Sequence, residues 1–265
     1  TIPRNVTKIG DSVFHSCENL QSINVDSNNS KYTSIDGILF TKNLDTLLCF
    51  PAKYPLSNYI IPATVISIGN SAFSNCSNIR SLTIPTSVNS IGDSAFSCCS
   101  KLESIQIPNS IKSIGDNAFS NCSNLSSITI PTGVTSIANY AFYRCRNLRS
   151  ITIPANITSI GDLAFCDCLN LSSIIPTNVK WIGDHAFESS SEFQLLTIPE
   201  SVKWIGYHAF GSCSKFQLLT IPPSVISVGG SAFSSCGHLR SITISKGLTS
   251  IASSAFSGCK NLQSI

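Results

Sequence analysis

The sequence predicts an α/β solenoid that has a parallel β-sheet on one face and short helical turns and loops on the other. The first observation is an internal repeat, because the 23-residue stretch from Ile84 to Gln106 recurs along nearly all of the 265-residue chain. The second is a short segment in each copy where apolar and polar residues alternate, as in a strand with one buried face. The third is a phenylalanine at the same place in every copy. Units with a fixed period of this length bury their apolar edges by stacking on their neighbours.

The repeats define the domain organisation. Successive copies begin 23 residues apart, except for one step of 22 residues and a long gap after the first copy. We predict a single domain over residues 1–265, made of ten repeats with an irregular or β-hairpin insertion at residues 25–60. Both termini fall within the repeat pattern and neither carries the polar cap usual in solenoids, so we expect an excerpt of a longer chain. The copies begin at Ile2, Ile61, Ile84, Ile107, Ile130, Ile153, Ile175, Ile198, Ile221 and Ile244.

The strand is the first element of each repeat. Apolar and polar residues alternate in Ser104-Ile105-Gln106-Ile107, and equivalent strands in register predict a parallel sheet with a spacing of about 4.8 Å. The proline that follows, Pro108 in this copy, has no N–H for the ladder and ends the strand. The polar positions are mostly Ser and Thr, so the exposed face of this sheet carries hydroxyl groups and almost no charge. It is either a solvated surface, a contact surface for a glycan or protein, or a surface that orders water or ice.

The second half of each repeat is predicted to turn at a glycine and then form one helical turn. Val88 and Ile91 are expected to point inward, and Gly92 suits a sharp corner where a Cβ would crowd. Asp93 stands where a helix N-cap is expected. Phe96 and its nine counterparts should stack as one column, and burying each ring is worth about 2–3 kcal/mol. The counterparts are Phe14, Phe73, Phe119, Phe142, Phe165, Phe187, Phe210, Phe233 and Phe256.

The insertion at residues 25–60 contains two apolar runs, 38–40 and 47–50, on either side of the turn-like stretch 42–45. This arrangement predicts a β-hairpin. One interpretation is an irregular repeat that covers the core, since aromatic residues are mostly buried. The other is a contact surface formed by its aromatic and lysine side chains.

The seventh and eighth copies depart from the others together and form the candidate binding site. Residues one period apart should touch, and two tryptophans with flanking cations are typical of a binding hot spot. Leu195 and Leu218 are expected on the exposed face of the strand sheet, and the two tryptophans beyond the bend that follows the strand. The leucines and the tryptophans would then form separate patches. The competing interpretation is a recent duplication of one repeat together with its unusual residues. The candidate binding residues are Trp181, Trp204, Tyr207, His185, His208, Lys180, Lys203, Leu195 and Leu218.

Nine of the 12 cysteines share one repeat position, where a small buried hydrophobe is sufficient. Side chains of identical residues in register point the same way, so we expect mostly free buried thiols rather than disulfides. The seventh copy has Ser190 at this position. The nine are Cys17, Cys76, Cys99, Cys122, Cys145, Cys168, Cys213, Cys236 and Cys259.

Neither catalysis nor a cofactor is predicted. None of the four histidines has a carboxylate and a nucleophile arranged around it, and no glycine-rich phosphate loop is present. His185 and His208 could share a metal with Asp184 or Glu188, but metal sites need three or four ligands, so we predict no metal. A net charge of +3 with 12% charged residues and no basic stripe argues against nucleic-acid binding. No apolar run is long enough to insert into a membrane.

The strand residues Leu102, Ile105 and Ile107 match the L-x-x-L-x-L core of leucine-rich repeats. With the Pro, Ile-Gly, Ala-Phe and Cys that follow, the repeat resembles the BspA-like subclass, whose members are mostly cell-surface proteins of bacteria and protozoan parasites. The resemblance implies a leucine-rich-repeat solenoid that is displayed or secreted. It also implies an adhesion or recognition scaffold, whose partner is a host matrix protein or cell-surface glycoprotein. The alternative is an intracellular protein-interaction scaffold of the same fold.

Overall fold

The computed structural model describes residues 1–172, 175–193 and 196–265. Its strands, in chain order, are β1 (Tyr32–Ile35), β2 (Ile38–Thr41), β3 (Thr46–Cys49), β4 (Asn58–Ile60), β5 (Ser67–Ile68), β6 (Ser81–Thr83), β7 (Ser90–Ile91), β8 (Ser104–Gln106), β9 (Ser113–Ile114), β10 (Ser127–Thr129), β11 (Ser136–Ile137), β12 (Ser150–Thr152), β13 (Ser159–Ile160), β14 (Trp181–Ile182), β15 (Leu196–Thr197), β16 (Trp204–Ile205), β17 (Leu218–Ile221), β18 (Ser227–Val228), β19 (Ser241–Ile244) and β20 (Ser250–Ile251).

Parallel strands occur at two positions of the repeat, whereas the sequence predicts strands at only one. The strands at the predicted position form the two blocks β12-β10-β8-β6-β4 and β15-β17-β19, which we call together the first sheet. The strands at the other position consist of the isoleucine of Ile-Gly, or its equivalent, and the residue before it. They form the blocks β5-β7-β9, which continues from β3 of the insertion, and β11-β13-β14-β16-β18-β20, which we call together the second sheet. In its two-residue strands from β5 to β18 the second residue is buried and the first is not, as in β7, where Ile91 is buried and Ser90 is half-buried. In the last strand, β20, both residues are exposed. A two-residue strand is too short to show a period, so only the stacking reveals this sheet.

The insertion caps one end of the second sheet. Strands β1, β2 and β3 pair antiparallel in that order, and β3 then pairs parallel with β5. Phe40 and Phe50 are completely or almost completely buried. Asn29 is buried as well, and its side-chain amide donates to the carbonyl oxygens of Pro3 and Val6 in the first repeat. These contacts favour the interpretation that the segment covers the core.

A single column of phenylalanine rings runs through the core. Ring centroids of successive members lie 4.9–5.7 Å apart from Phe50 to Phe256. Nine of the ten predicted phenylalanines belong to it. The prediction is wrong for Phe14, which packs against the small separate cluster of Ile23, Leu39 and Cys49. Because the insertion separates the first repeat from the second, Phe50 takes the end position of the column.

The predicted helical turns are wrong, since no helix occurs in residues 1–172, 175–193 or 196–265. In the third repeat the backbone N–H groups of Ser94, Phe96 and Cys98 donate to carbonyl oxygens of the next repeat at 2.7–2.8 Å. Those donors are therefore not available for bonds along a helix. Ser94 and Cys98 also have φ values of 55° and 60°, in the left-handed region that ends right-handed helical geometry. Hydrogen bonding between repeats thus replaces helix formation within one repeat.

Asp93 is not a helix cap but part of a side-chain ladder between repeats. Its Oδ1 accepts the backbone N–H of Asp116 at 2.9 Å, and Oδ1 of Asp116 accepts the N–H of Asn139 at 3.0 Å. The same bond recurs from Asn70 to Tyr207. The repeats approach closely here, and a Cβ on Gly92 would lie 2.5 Å from Oδ1 of Asn70. The crowding predicted at this glycine is confirmed.

Removing one member of this ladder should have a moderate cost. We expect Asp116→Ala to lower the free energy of unfolding by about 1 kcal/mol, because the N–H of Asn139 loses its acceptor. Asp116→Asn is the matched control, since Asn70 and Asn139 make the same bond elsewhere in the ladder. Urea denaturation of the three proteins measures the difference. Equal losses for the Ala and Asn variants would show that the bond contributes nothing.

All 12 cysteines are free thiols. In the repeat position that most of them share, the thiol donates to the carbonyl oxygen of the phenylalanine in the preceding repeat. Sγ of Cys99 lies 3.0 Å from O of Phe73, and Sγ of Cys145 lies 3.1 Å from O of Phe119. Ser190 makes the equivalent bond at 2.7 Å. The position therefore selects a small side chain with a donor, and not merely a small hydrophobe.

Candidate functional site

The tryptophans lie side by side on the second sheet. Trp181 begins β14 and Trp204 begins β16, and the two residues are register partners. Their ring centroids are 5.6 Å apart with an interplanar angle of 39°. The side chains are 48% and 41% exposed, whereas Ile182 and Ile205 beside them are buried in the core. Two large apolar rings therefore stand in contact on the solvent side of a rigid sheet.

The histidines and Tyr207 form a second aromatic group in the following turn. The rings of His185 and His208 stack 5.3 Å apart at 15°. Tyr207 is 48% exposed, and its ring centroid lies 5.2 Å from that of His185 and 4.6 Å from that of His208. Tyr207 holds the place that Asp184 holds one repeat earlier, so it ends the side-chain ladder with an aromatic ring. The predicted contact between the two histidines is present.

Glu188 joins the two histidines, and Asp184 does not. Oε2 of Glu188 lies 2.6 Å from Nδ1 of His185, and Oε1 of Glu188 lies 3.7 Å from Nδ1 of His208. One Oδ of Asp184 instead accepts the N–H of Tyr207. Nδ1 of His208 is buried and has no hydrogen-bond partner. The structure thus selects one of the two carboxylates that the sequence left open.

The remaining candidate residues are spread more widely. Lys180 is exposed and Lys203 is half-buried, and neither packs its cation on a tryptophan ring within the part of the chain described. Leu218 is 63% exposed on β17, in the first sheet, and therefore belongs to a different surface from the tryptophans. Leu195 lies outside the described residues, as do residues 173–174, where the shortened repeat predicts a pinched strand.

One exposed apolar residue beside the site was not predicted from the sequence. Ile226 is 43% exposed and follows Lys180 and Lys203 at the same repeat position. Its backbone N–H donates to the carbonyl oxygen of Lys203 at 2.9 Å, which places it next to the tryptophan strand. The signal available in the sequence was the change from lysine to isoleucine in the ninth copy.

These features define the chain as a leucine-rich-repeat solenoid, with short parallel strands, a continuous stacked core and an unusual aromatic patch on the second sheet. The chain belongs to the BspA type leucine-rich repeat family. The family model, a BspA type leucine-rich repeat region of 6 copies, matches residues 1–47, 46–172 and 164–265. No curated protein matches the chain. The resemblance inferred from the strand and Ala-Phe-Cys motifs is confirmed.

Three bacterial structures are similar to the chain. A leucine-rich repeat protein from Eubacterium ventriosum is 29% identical with a TM-score of 0.69, over 88% of this chain and 57% of that one. A leucine-rich cell surface protein from Faecalibacterium prausnitzii is 30% identical with a TM-score of 0.58, over 89% and 73%. A leucine-rich repeat protein from Bacteroides ovatus is 25% identical with a TM-score of 0.66, over 92% and 74%. The chain thus spans 57% of the Eubacterium protein's length.

The family gives a general statement of what such a chain does. Leucine-rich repeat domains generally mediate protein binding, and repeat scaffolds of this kind are typically not enzymes. BspA-like members are commonly found at the cell surface. Within residues 1–172, 175–193 and 196–265, no helix has the length and apolar character needed to cross a membrane.

Proposed function

We propose that the chain is a non-enzymatic recognition scaffold, displayed at the cell surface or secreted, that binds a host matrix protein or a cell-surface glycoprotein. The observation that carries the proposal is the pair of exposed tryptophans in contact on the second sheet. Tyr207 in the eighth repeat and Ile226 in the ninth add exposed apolar surface near the pair. We call Trp181, Trp204, Tyr207 and Ile226 the tryptophan patch.

The tryptophan patch has the composition and the rigidity of a binding hot spot. Tryptophan and tyrosine dominate such sites because they bury a large area and have few rotatable bonds to immobilise. The neighbours of the pair in the sheet are Ser159 and Ser227, which offer little apolar area. Trp181 and Trp204 therefore provide the binding energy, and the surrounding hydroxyl-bearing surface fits around the partner.

Display outside the cell is supported by the family and by the Faecalibacterium relative, which is a cell surface protein. The intracellular scaffold is the competing proposal for the same fold. Antibody labelling of intact and permeabilised cells that produce the full-length protein separates the two. Labelling of intact cells is expected. Labelling only after permeabilisation would overturn the extracellular assignment.

The binding test uses serine in place of the tryptophans. Serine occupies this position in β5, β7, β9, β11, β13, β18 and β20, so Trp181→Ser with Trp204→Ser keeps the fold. The chain is passed over immobilised purified matrix glycoproteins, and the dissociation constant is measured for each one that binds. Loss of one hot-spot residue costs about 2 kcal/mol, so we expect the double variant to bind at least about 30-fold more weakly.

Leu218→Ser is the control, because Leu218 is a large exposed apolar residue that lies on the first sheet, opposite Ser241. It should leave the dissociation constant unchanged. If the leucine variant binds about 30-fold more weakly and the tryptophan variant binds normally, the binding surface lies on the first sheet instead. Absence of binding to every matrix glycoprotein tested would overturn the adhesion proposal.

A further inference from the structure

We propose that His185, Glu188 and His208 bind a divalent transition-metal ion, with Zn²⁺ as the ion that suits the three side chains. The ligand atoms, one from each residue, all lie within 4.8 Å of one another. Two imidazoles and one carboxylate are a nitrogen and oxygen donor set that Zn²⁺ accepts with a water in the fourth position. This site lies beside the tryptophan patch and does not depend on the proposed binding of a protein.

The carboxylate of Glu188 already points one oxygen at each histidine. Oε2 is 2.6 Å from Nδ1 of His185, and Oε1 is 3.7 Å from Nδ1 of His208. Ligands held at 2.0–2.2 Å around a tetrahedral ion lie about 3.4 Å apart. One observed separation is shorter than that value and the other is longer, so the proposed site requires side-chain rotations that bring all three ligand atoms to one ion.

Nδ1 of His208 is the observation that distinguishes an ion site from a simple His–Glu pair. It is buried, has no hydrogen-bond partner and faces the same carboxylate that already pairs with His185. A buried polar atom without a partner costs about 1–3 kcal/mol. A bound ion removes this cost, because the free nitrogen becomes a ligand.

The backbone fixes both histidines before any ion binds. His185 and His208 have φ values of 56° and 52°, and their N–H groups donate to O of Tyr207 and O of Gly230 in the next repeats. Since the solenoid repeats this turn, the two rings are stacked by the fold itself. Ligands held in this way lose little freedom on binding an ion.

Gly211 leaves space for the second imidazole. It stands one repeat after Glu188, and a Cβ at Gly211 would lie 2.7 Å from Nδ1 of His208. The three ligand side chains are 25–30% exposed, so the cluster lies at the protein surface although Nδ1 of His208 itself is buried. The cluster therefore has room for both imidazoles and borders on solvent.

Asparagine variants test the proposal without disturbing the turn. Asparagine tolerates positive φ, and Asn117 holds the equivalent position in the fourth repeat with φ of 58°. The full chain, kept reduced, is titrated with Zn²⁺ by calorimetry and with Co²⁺ by visible absorption. We expect one ion per chain at this site, with a cobalt spectrum that lacks the charge-transfer band of thiolate ligands.

His185→Asn with His208→Asn should weaken Zn²⁺ binding by more than about 100-fold, since even losing a residue that only supports a ligand costs 10–100-fold. Glu188→Gln should weaken it as well. His238→Asn, a histidine outside the cluster, should change nothing. Thermal unfolding gives a second readout, because Zn²⁺ should raise the melting temperature of the unaltered chain and not of the double variant.

The proposal is overturned if the double variant binds Zn²⁺ as tightly as the unaltered chain, or if the cobalt spectrum shows thiolate ligands. Zn²⁺ binding in the Trp181→Ser, Trp204→Ser variant is expected to be normal. The metal-site proposal and the protein-binding proposal are therefore tested independently of each other.

Discussion

Phe142→Ala is expected to lower the free energy of unfolding by about 3–5 kcal/mol. The ring is completely buried, and it stacks between Phe119 and Phe165 with centroid distances of 5.5 and 5.4 Å. Alanine leaves a cavity at the centre of a column in which each ring supports the next. Backbone hydrogen bonds in both sheets fix the spacing between neighbouring repeats, so the repeats cannot move together to fill the cavity. Urea denaturation followed by circular dichroism measures the loss.

Two further variants show whether the loss arises from the column. Phe142→Leu keeps most of the apolar volume and should cost less than Phe142→Ala. Phe256→Ala removes the last ring, which is half-buried and has one neighbour in the column, Phe233, at 5.7 Å. It should cost clearly less than the central variant. Equal losses at the centre and the end would mean that the stacked column does not dominate the core.

The parts of the fold that depend on long-range repetition could be predicted from the sequence. The position of β8 and the column containing Phe142 follow from apolar residues that recur every 23 positions. The second sheet could not be predicted, because Ser90–Ile91 is too short to show an alternating pattern. The helical turn was predicted from a local cap signal at Asp93. That signal was misleading because the carboxylate bonds to the next repeat, a contact with no local signature.

The candidate site shows the same division. Contacts between Trp181 and Trp204 and between His185 and His208 could be predicted, because equal repeat positions become neighbours in a solenoid. The sequence could not show that Glu188, and not Asp184, is the carboxylate that contacts both histidines. The decision depends on the left-handed turn at residue 185, which directs the backbone of the following residues and is not visible in the sequence.

Raising the pH above about 8.5 is expected to destabilise the chain steeply, through its buried cysteines. Burial raises the pKa of Cys99 and of Cys145 to about 12, and it raises the pKa of Cys122 and of Cys168 well above the ordinary value. Between the ordinary thiol pKa and 12, the unfolded chain loses these protons and the folded chain keeps them. The folded state then binds more protons, so the free energy of unfolding falls as pH rises. Each thiol contributes about 1.4 kcal/mol per pH unit.

Cys145→Ser isolates one thiol in this effect. Serine is accepted at the position, as Ser190 shows by donating to O of Phe165 at 2.7 Å, and it does not ionise in this range. Urea denaturation of the reduced protein between pH 7 and 10 should therefore show a fall in stability above pH about 8.5 that is about 1.4 kcal/mol per pH unit shallower in the variant. Below the pKa of the thiols in the unfolded chain, the cysteines should cause no change of stability with pH in either protein. If stability falls equally steeply with pH in both proteins, or does not fall above pH about 8.5, the cysteines at the shared repeat position are open to solvent. Because each thiol also donates to a phenylalanine carbonyl of the preceding repeat, ionisation would break the contact that joins neighbouring repeats at the core.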